Sequence, residues 1–468
     1  MIHNSNTTRR GFIHGVAATT GGLFLPNIII GQEGGSKKLN FAGIGVGGKG
    51  ESDIGTAAKG ANIVALCDVD RERLKKAQQK YPDAKIFENF REMFEAMGDK
   101  IDGVTVSTPD HAHYPAAMEA IKRGKHVCVQ KPLVNRIWEA NQLHQAALKK
   151  GVKTNMGNQG HTGEGIRLLK EWIAAGIVGK VKEIHVWTNR PIWPQGEAAK
   201  KNYLGTFKEG KEADKGSRGA DKPHDVNWSA WLAATPEVPY IPGLHPFAWR
   251  GHREYGAGAM GDMGCHIMDG PFWSCELGEP YKIEAECDEL TDVSWPKSSH
   301  VKLWFKTKMF GEVVLNWYEG GRKPERPKEL DATRDWSKMI GGFLIYGEEG
   351  TILNTDDYCG GPRLIPEEKM KSWVEKKTPK TLERSLAPGE PQLELIRAIE
   401  QNKVCGSNFD YSVPLTKLCL LGNLGIATPG KILEWDSAAQ EVKGNAEASK
   451  FIKRAAYRDG WAYSADKI

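Results

Sequence analysis

The sequence predicts an α/β chain: a doubly wound parallel sheet first, then an α+β region with a large, open, mostly antiparallel sheet. Three observations carry this. A glycine-rich turn follows directly on a short apolar run near residue 40; strand-like and helical stretches then alternate to about residue 157; and strand-like runs at 181–187, 281–286, 301–305, 312–317 and 343–346 follow beyond that junction.

Leu39-Asn40-Phe41-Ala42-Gly43-Ile44 reads as a buried strand, and Gly45-Val46-Gly47-Gly48-Lys49-Gly50 is G-x-G-x-x-G between it and a helical stretch at 51–59. The glycines permit a tight turn and let the backbone approach a pyrophosphate, whose charge then sits at the positive end of the helix. A second strand at 61–67 ends in Asp68, about twenty residues beyond the glycines, where a ribose 2′-hydroxyl is held. A lone glycine pattern says little in a chain with 53 glycines; strand, glycines, helix, strand and acid in that order specify a dinucleotide site. Asp68 favours NAD, because a carboxylate repels a 2′-phosphate, while Arg71 and Arg73 leave NADP open. Helices at 71–80, 90–97, 114–123 and 137–150 alternate with strands at 85–87, 103–106 and 126–129, which is the Rossmann pattern over 36–157. Ligands lie beyond the carboxyl ends of such strands, so Thr108, Pro109, His113 and Lys131 join the glycines, Lys49 and Asp68 as expected cofactor contacts.

At 468 residues the chain exceeds one ordinary core, and 158–468 is read as a substrate-binding and oligomerisation domain. The net charge of +5 is small and no Lys/Arg block occurs, which argues against nucleic acid. Eight scattered cysteines without a CxxC pair match neither a zinc site nor a disulfide scaffold, and Cys67 and Cys128 read as buried apolar residues. Arg9-Arg10 before a moderately apolar stretch reads as a twin-arginine signal over 1–35, directing the folded protein to the periplasm or cell envelope. Gly15, Gly21, Gly22 and Pro26 make that stretch a poor permanent membrane helix. Export in the folded state suits an enzyme that loads a tightly bound cofactor in the cytoplasm.

Oxidising a secondary alcohol needs a group to take the hydroxyl proton and a nicotinamide to take the hydride. Asp262 and His266, at i and i+4, share one face of a helix. His266 is read as general base, Asp262 as its partner and a substrate ligand, and Lys131 as hydroxyl polariser and proton relay. A metal is not expected, since His111 and His113 would have to join this pair and no further ligand clusters with them. Asn158, Gln159 and His161 at the junction are expected to meet a hydroxyl-rich substrate, or else to cap the loop. Arg190 and Trp193 after the strand at 181–187, and His245, Trp249 and Arg250, are further candidates, with core packing the alternative for each aromatic. The polar stretch 196–222 reads as an exposed loop, and 367–383 as surface; helices are expected at 393–400 and 415–425.

The segments Gly45 to Gly50, Thr108-Pro109, Lys131-Pro132 and Gly261-Asp262-Met263-Gly264-Cys265-His266, in that order, resemble the glucose-fructose oxidoreductase / inositol dehydrogenase (Gfo/Idh/MocA) family. Gly157-Asn158-Gln159-Gly160-His161 and His245-Pro246-Phe247 resemble its twin-arginine-exported members. The resemblance implies that Lys131, Asp262 and His266 serve the substrate hydroxyl and nicotinamide, and that the outer sheet face forms dimers or tetramers. One departure stands out: the family's E-K-P motif is Gln130-Lys131-Pro132 here, which removes a carboxylate beside the lysine. Oxidation or reduction of a ring hydroxyl in a sugar, glycoside or polyol is the function expected. A glycoside hydrolase using NAD transiently, by oxidation and elimination, is the alternative; a non-catalytic sensor would not need a base beside nicotinamide.

Overall fold

Short strands, mostly apolar and followed by Gly, Ser, Asp, Glu or Gln, build a six-stranded parallel sheet, each strand leading into a helix or a tight turn. In chain order they are β1 (Asn40–Ile44), β2 (Asn62–Cys67), β3 (Lys85–Phe87), β4 (Gly103–Val106), β5 (His126–Val129) and β6 (Thr154–Met156). Their order across the sheet is β3-β2-β1-β4-β5-β6, so the chain reverses direction between β1 and β4, where a crevice opens at the carboxyl ends. The structure, a computed structural model, describes residues 38–201 and 225–468. Arg9, Arg10 and the signal segment, and most of the loop expected at 196–222, lie outside the described residues. Among those described, no helix is long and apolar enough to cross a membrane.

The helix after β4 runs Asp110–Lys122, starting four residues before the expected 114. Pro109 presets the chain for helix entry and Asp110 places a carboxylate in the first turn, which outweighs the interior Pro115.

The second sheet has nine strands: β7 (Val181–Trp187), β8 (Lys282–Asp288), β9 (Ser298–Thr307), β10 (Gly311–Glu319), β11 (Gly342–Gly347), β12 (Thr351–Asn354), β13 (Arg363–Ile365), β14 (Leu433–Asp436) and β15 (Glu441–Val442). They lie in the order β13-β12-β11-β7-β10-β9-β8-β14-β15. Only β7 and β10 pair in parallel; the other neighbours are antiparallel. Strands β12 to β15 have two to four residues each, too short for a period-two signal to show in the sequence. Glu367–Glu375, in the stretch read as surface, is a helix that buries only Met370; good helix formers need little core to stay folded.

The helix Phe409–Ala427 lies between the sheets, packing on β6 and the helix Ile137–Lys150 on one side and on β8 and β9 on the other. One continuous core therefore runs through both halves. Chain order and packing part company at the C-terminus. Leu395 and Ile396 of the helix Pro391–Glu400 return to the first sheet and bury against Phe41, Ala57 and Cys128, and Trp461 meets Phe90 edge-on, with ring centroids 5.6 Å apart. All eight cysteines are free, Cys67 and Cys128 among the buried ones.

Candidate active site

A cleft of about 500 Å³ opens at the carboxyl ends of the first sheet. Gly45, Gly47, Gly48 and Lys49 form one wall, with Asp68, Thr108, Pro109, His113 and Lys131 around them. Of the residues expected at the cofactor, only Gly50 lies off this surface, and its role is steric. A Cβ there would stand 1.9 Å from the Gly45 carbonyl oxygen, so any side chain would break the turn. Gly45 itself has φ +79°. Gly48 faces open space, at the N-terminus of the helix Lys49–Ala57 whose first N–H groups have no intrahelical acceptor. A pyrophosphate fits this cradle.

Asp68 does more than await a ribose. Its Oδ2 accepts hydrogen bonds from the backbone of Val46 (2.8 Å) and Gly47 (3.2 Å), and its Oδ1 from Asp70 N (3.0 Å). The acid at the end of β2 thus holds the glycine turn in shape. Burial raises its pKa, against these hydrogen bonds.

Beneath the turn, a buried carboxylate explains the departure at 130. Asp53, 1% exposed, accepts from Lys49 Nζ at 2.5 Å on Oδ1, and from Ser107 Oγ at 2.7 Å and Gln130 Nε2 at 2.8 Å on Oδ2. A glutamate at 130 would press a second carboxylate against Asp53; the glutamine amide donates to it instead. The acid absent from the Lys-Pro motif is supplied from the helix after the glycine turn. Gln159 completes the group, its amide oxygen 3.1 Å from Lys49 Nζ.

At the other end, Lys131 Nζ donates to the carboxylate (3.0 Å) and the backbone oxygen (2.5 Å) of Asp262. Arg250 Nε (3.5 Å) and Arg190 Nε (3.8 Å) flank the same carboxylate. Burial pushes the Asp262 pKa up, but Lys131 and Arg250 prevail and hold it below its ordinary value. Asp262, expected as the partner of His266, pairs with Lys131, and His266 is held by Asn158.

Asn158 determines which nitrogen of His266 carries the proton. Its Nδ2 donates to Cys265 O (2.7 Å) and Asp269 Oδ2 (3.0 Å), so its Oδ1, 2.9 Å from His266 Nδ1, can only accept. His266 therefore carries its proton on Nδ1 and leaves Nε2 as the acceptor; its ring lines the cleft. Burial, then the Lys131 ammonium, drives its pKa well below the usual imidazole value, so the ring is neutral. Asp269 is the anchor: His161 Nδ1 lies 3.0 Å from its Oδ1, and the Tyr411 hydroxyl also donates to it.

The residues expected at the substrate thus divide. Gln159 and Arg250 line the cleft. Arg190 stands beside Asp262. Asn158 and His161 are fully buried, Asn158 on His266 and both on Asp269. Trp193 is buried, with its indole N–H on Gln195 (2.7 Å). His245 lies at the cofactor end, 2.9 Å from Asp70 Oδ2 on the residue that caps the helix after β2. His113 has both nitrogens against carbonyls, Thr108 O at 2.8 Å and Pro132 O at 2.9 Å, tying the two turns together; burial holds its pKa down to about 4. Among the described residues no group of three His, Cys, Asp or Glu side chains is placed to hold a metal. The sequence reading missed Asp53, Asp269 and Tyr358. Asp53 had a faint signal, four residues after Lys49; the other two had none, since the partners of Asp269 are over a hundred residues away in the chain and the His266 that meets Tyr358 is 92 away.

Residues 39–158 match the model of the GFO_IDH_MocA oxidoreductase family, described as an NAD-binding Rossmann fold. An inositol 2-dehydrogenase of Rubrobacter xylanophilus is 27% identical over 152 residues, 32% of this chain and 43% of that protein. A glycosyl hydrolase family 109 protein of Streptomyces filamentosus is 36% identical over 110 residues, 21% of this chain and 22% of that protein. The matches span less than half the length of these relatives. The fold extends further: the WlbA dehydrogenase of Bordetella pertussis, solved with NADH and UDP-GlcNAcA, superposes with a TM-score of 0.57 at 18% identity over 86% of this chain and 99% of that one.

Proposed function

We propose that this chain, whose dinucleotide-binding domain is that of a Gfo/Idh/MocA oxidoreductase, oxidises or reduces a ring hydroxyl of a sugar, glycoside or polyol with NAD. The observation that carries this is the tautomer of His266: a neutral imidazole in the wall of the cleft, its Nδ1 proton held by Asn158 and its Nε2 left as acceptor, near the Lys131 ammonium. The glycine turn, Lys49 and Asp68 would hold NAD, which would supply the hydride acceptor. The chain's own residues manage the proton. Lys131 spends two N–H groups on Asp262 and keeps a third for the substrate oxygen, which stabilises developing negative charge there. His266 Nε2 accepts the hydroxyl proton, and the nearby Asp262 carboxylate favours the imidazolium that results. Asn158, anchored by Asp269, keeps the ring from turning or changing tautomer.

A second reading, hydrolysis of a glycoside through transient oxidation, is favoured by the family 109 relative, the more identical of the two relatives over its aligned stretch. Product analysis by NMR, with purified enzyme, a glycoside panel in excess and no added cofactor, separates the two. Ketosugar equal to the bound cofactor, increasing with an added electron acceptor, supports the dehydrogenase. Free sugar and aglycone over many turnovers without net redox change replaces it with the hydrolase. We also propose export by the twin-arginine route, on Arg9-Arg10; changing both to Lys should leave the protein in the cytoplasm, as fractionation would show.

A further inference from the structure

Tyr358 is 46% exposed, an unusual state for a tyrosine in the wall of a deep cleft. Its ring meets that of His266 edge-on, centroids 5.0 Å apart and planes at 74°. It follows β12, and nothing in its local sequence marks it.

The loop that carries it is held rigidly. Asp356 Oδ1 accepts the N–H groups of Tyr358 (2.8 Å) and Gly360 (2.9 Å), and its Oδ2 that of Gly361 (3.2 Å). Asn354 Nδ2 donates to Asp356 O at 2.7 Å. The loop then seats directly on the segment after β6. A Cβ at 160 would stand 2.8 Å from Tyr358 O, and one at 165 would stand 2.1 Å from Cys359 O. Gly160 and Gly165 are the clearance that lets it dock. Asn158, which holds His266, and Gly160, which admits Tyr358, are two residues apart. One short segment therefore sets the base and the tyrosine relative to each other.

We propose that Tyr358 is a substrate-binding residue: the platform on which the apolar C–H face of a pyranose or cyclitol ring lies while its hydroxyl is presented to Lys131 and His266. Two features of the cleft argue for a ring ligand. An aromatic face attracts the slightly positive C–H groups of a sugar ring, and a preordered loop loses little entropy when the ligand arrives. Lys131, Asp262 and Arg250, which line the same cleft, supply the charged groups that hydroxyls require. The proposal rests on the carbohydrate reading above and assigns the residue that binds the ring's apolar face; open-chain polyols have no such face.

Saturation-transfer NMR on the NAD-loaded enzyme tests this, with methyl β-D-glucopyranoside, methyl β-D-galactopyranoside and myo-inositol as probes and sorbitol as the open-chain control. Ring C–H protons of at least one cyclic probe should receive saturation from the wild-type protein, and sorbitol should receive little. Tyr358→Ala should raise the Kd of that probe about three- to ten-fold, the weight of one aromatic contact. Tyr358→Phe should stay within about two-fold, and Tyr358→Leu, which keeps bulk but not the aromatic face, should resemble Ala. Bound NAD, read from absorbance, should be unchanged throughout. No transfer to any cyclic probe, an unchanged Kd in Tyr358→Ala, or a loss in Tyr358→Phe equal to that in Ala would each overturn the platform. If transfer and its dependence on Tyr358 hold while no oxidised product forms, the redox reading fails and the platform stands.

Discussion

The two ends of the cleft are built in opposite ways. At the cofactor end, the glycine turn, Lys49 and Asp53, and the Asp68 that clasps the turn, fall within a stretch of 24 residues. At the hydroxyl end, Lys131, Asn158, Asp262 with His266, and Tyr358 come from four separate stretches of chain. The first end is a local motif, reusable wherever a dinucleotide must bind. The second exists only after both sheets and the helix between them have packed. Binding the cofactor and performing the reaction should therefore fail independently.

The sharpest break in that comparison is His266→Ala. Loss of a general base costs on the order of 10²- to 10⁴-fold in rate, so kcat should collapse while bound NAD, read by absorbance, stays at the wild-type level. Joint loss of both would mean that the two ends are not separable. Gly50→Ala is the mirror test: a Cβ 1.9 Å from a backbone oxygen must displace the turn, so cofactor affinity should fall at least ten-fold in a titration, with His266 untouched.

Asn158 sharpens the comparison, since its side-chain contacts, Cys265, Asp269 and His266, all lie at the hydroxyl end. Asn158→Ala frees the ring to adopt either tautomer, and kcat should fall about ten- to a hundred-fold with little change in KM. Asn158→Asp adds a carboxylate beside a ring whose pKa is now depressed by burial and Lys131. The imidazolium is then favoured, and the acid limb of the kcat–pH profile should move to higher pH. An unmoved limb would show that the titrating group is not His266.

The smallest effect is expected from Gln130→Glu. The new acid is buried against Asp53, so its folded pKa rises above its unfolded value near 4.3. Between those two values the native state binds more protons than the unfolded one, and stability declines as pH rises. Urea denaturation should show near-wild-type stability at pH 4 to 5 and a deficit of about 1 to 3 kcal/mol at pH 8. A pH-independent deficit would point to steric strain instead of charge.

What could be read in advance follows the same division. The alternation of strands and helices was legible as far as β5 because most of these strands are short apolar runs closed by a turn residue with a helix at short range; β6, Thr154-Asn155-Met156, carries no such run. Asp262 and His266 were legible as a pair because helical spacing is a local property; that they would take different partners was not. Asn158, His161 and His245 are polar residues in loops, and nothing in a loop sequence tells whether its side chains face a ligand or a neighbouring helix. Two of the three turned inward to His266 and Asp269, and the third went to Asp70.

By itself the sequence determined the parallel sheet, the glycine turn with its acid and the residue types available for proton transfer, since these depend on spacing over a few turns of chain. The tertiary structure alone decided which nitrogen of His266 is free, why residue 130 is a glutamine, and that Tyr358 stands beside the base. Each of these depends on a hydrogen bond or a ring contact between residues 77 to 108 positions apart, and contacts at that separation are chosen by packing, where the local pattern has no say.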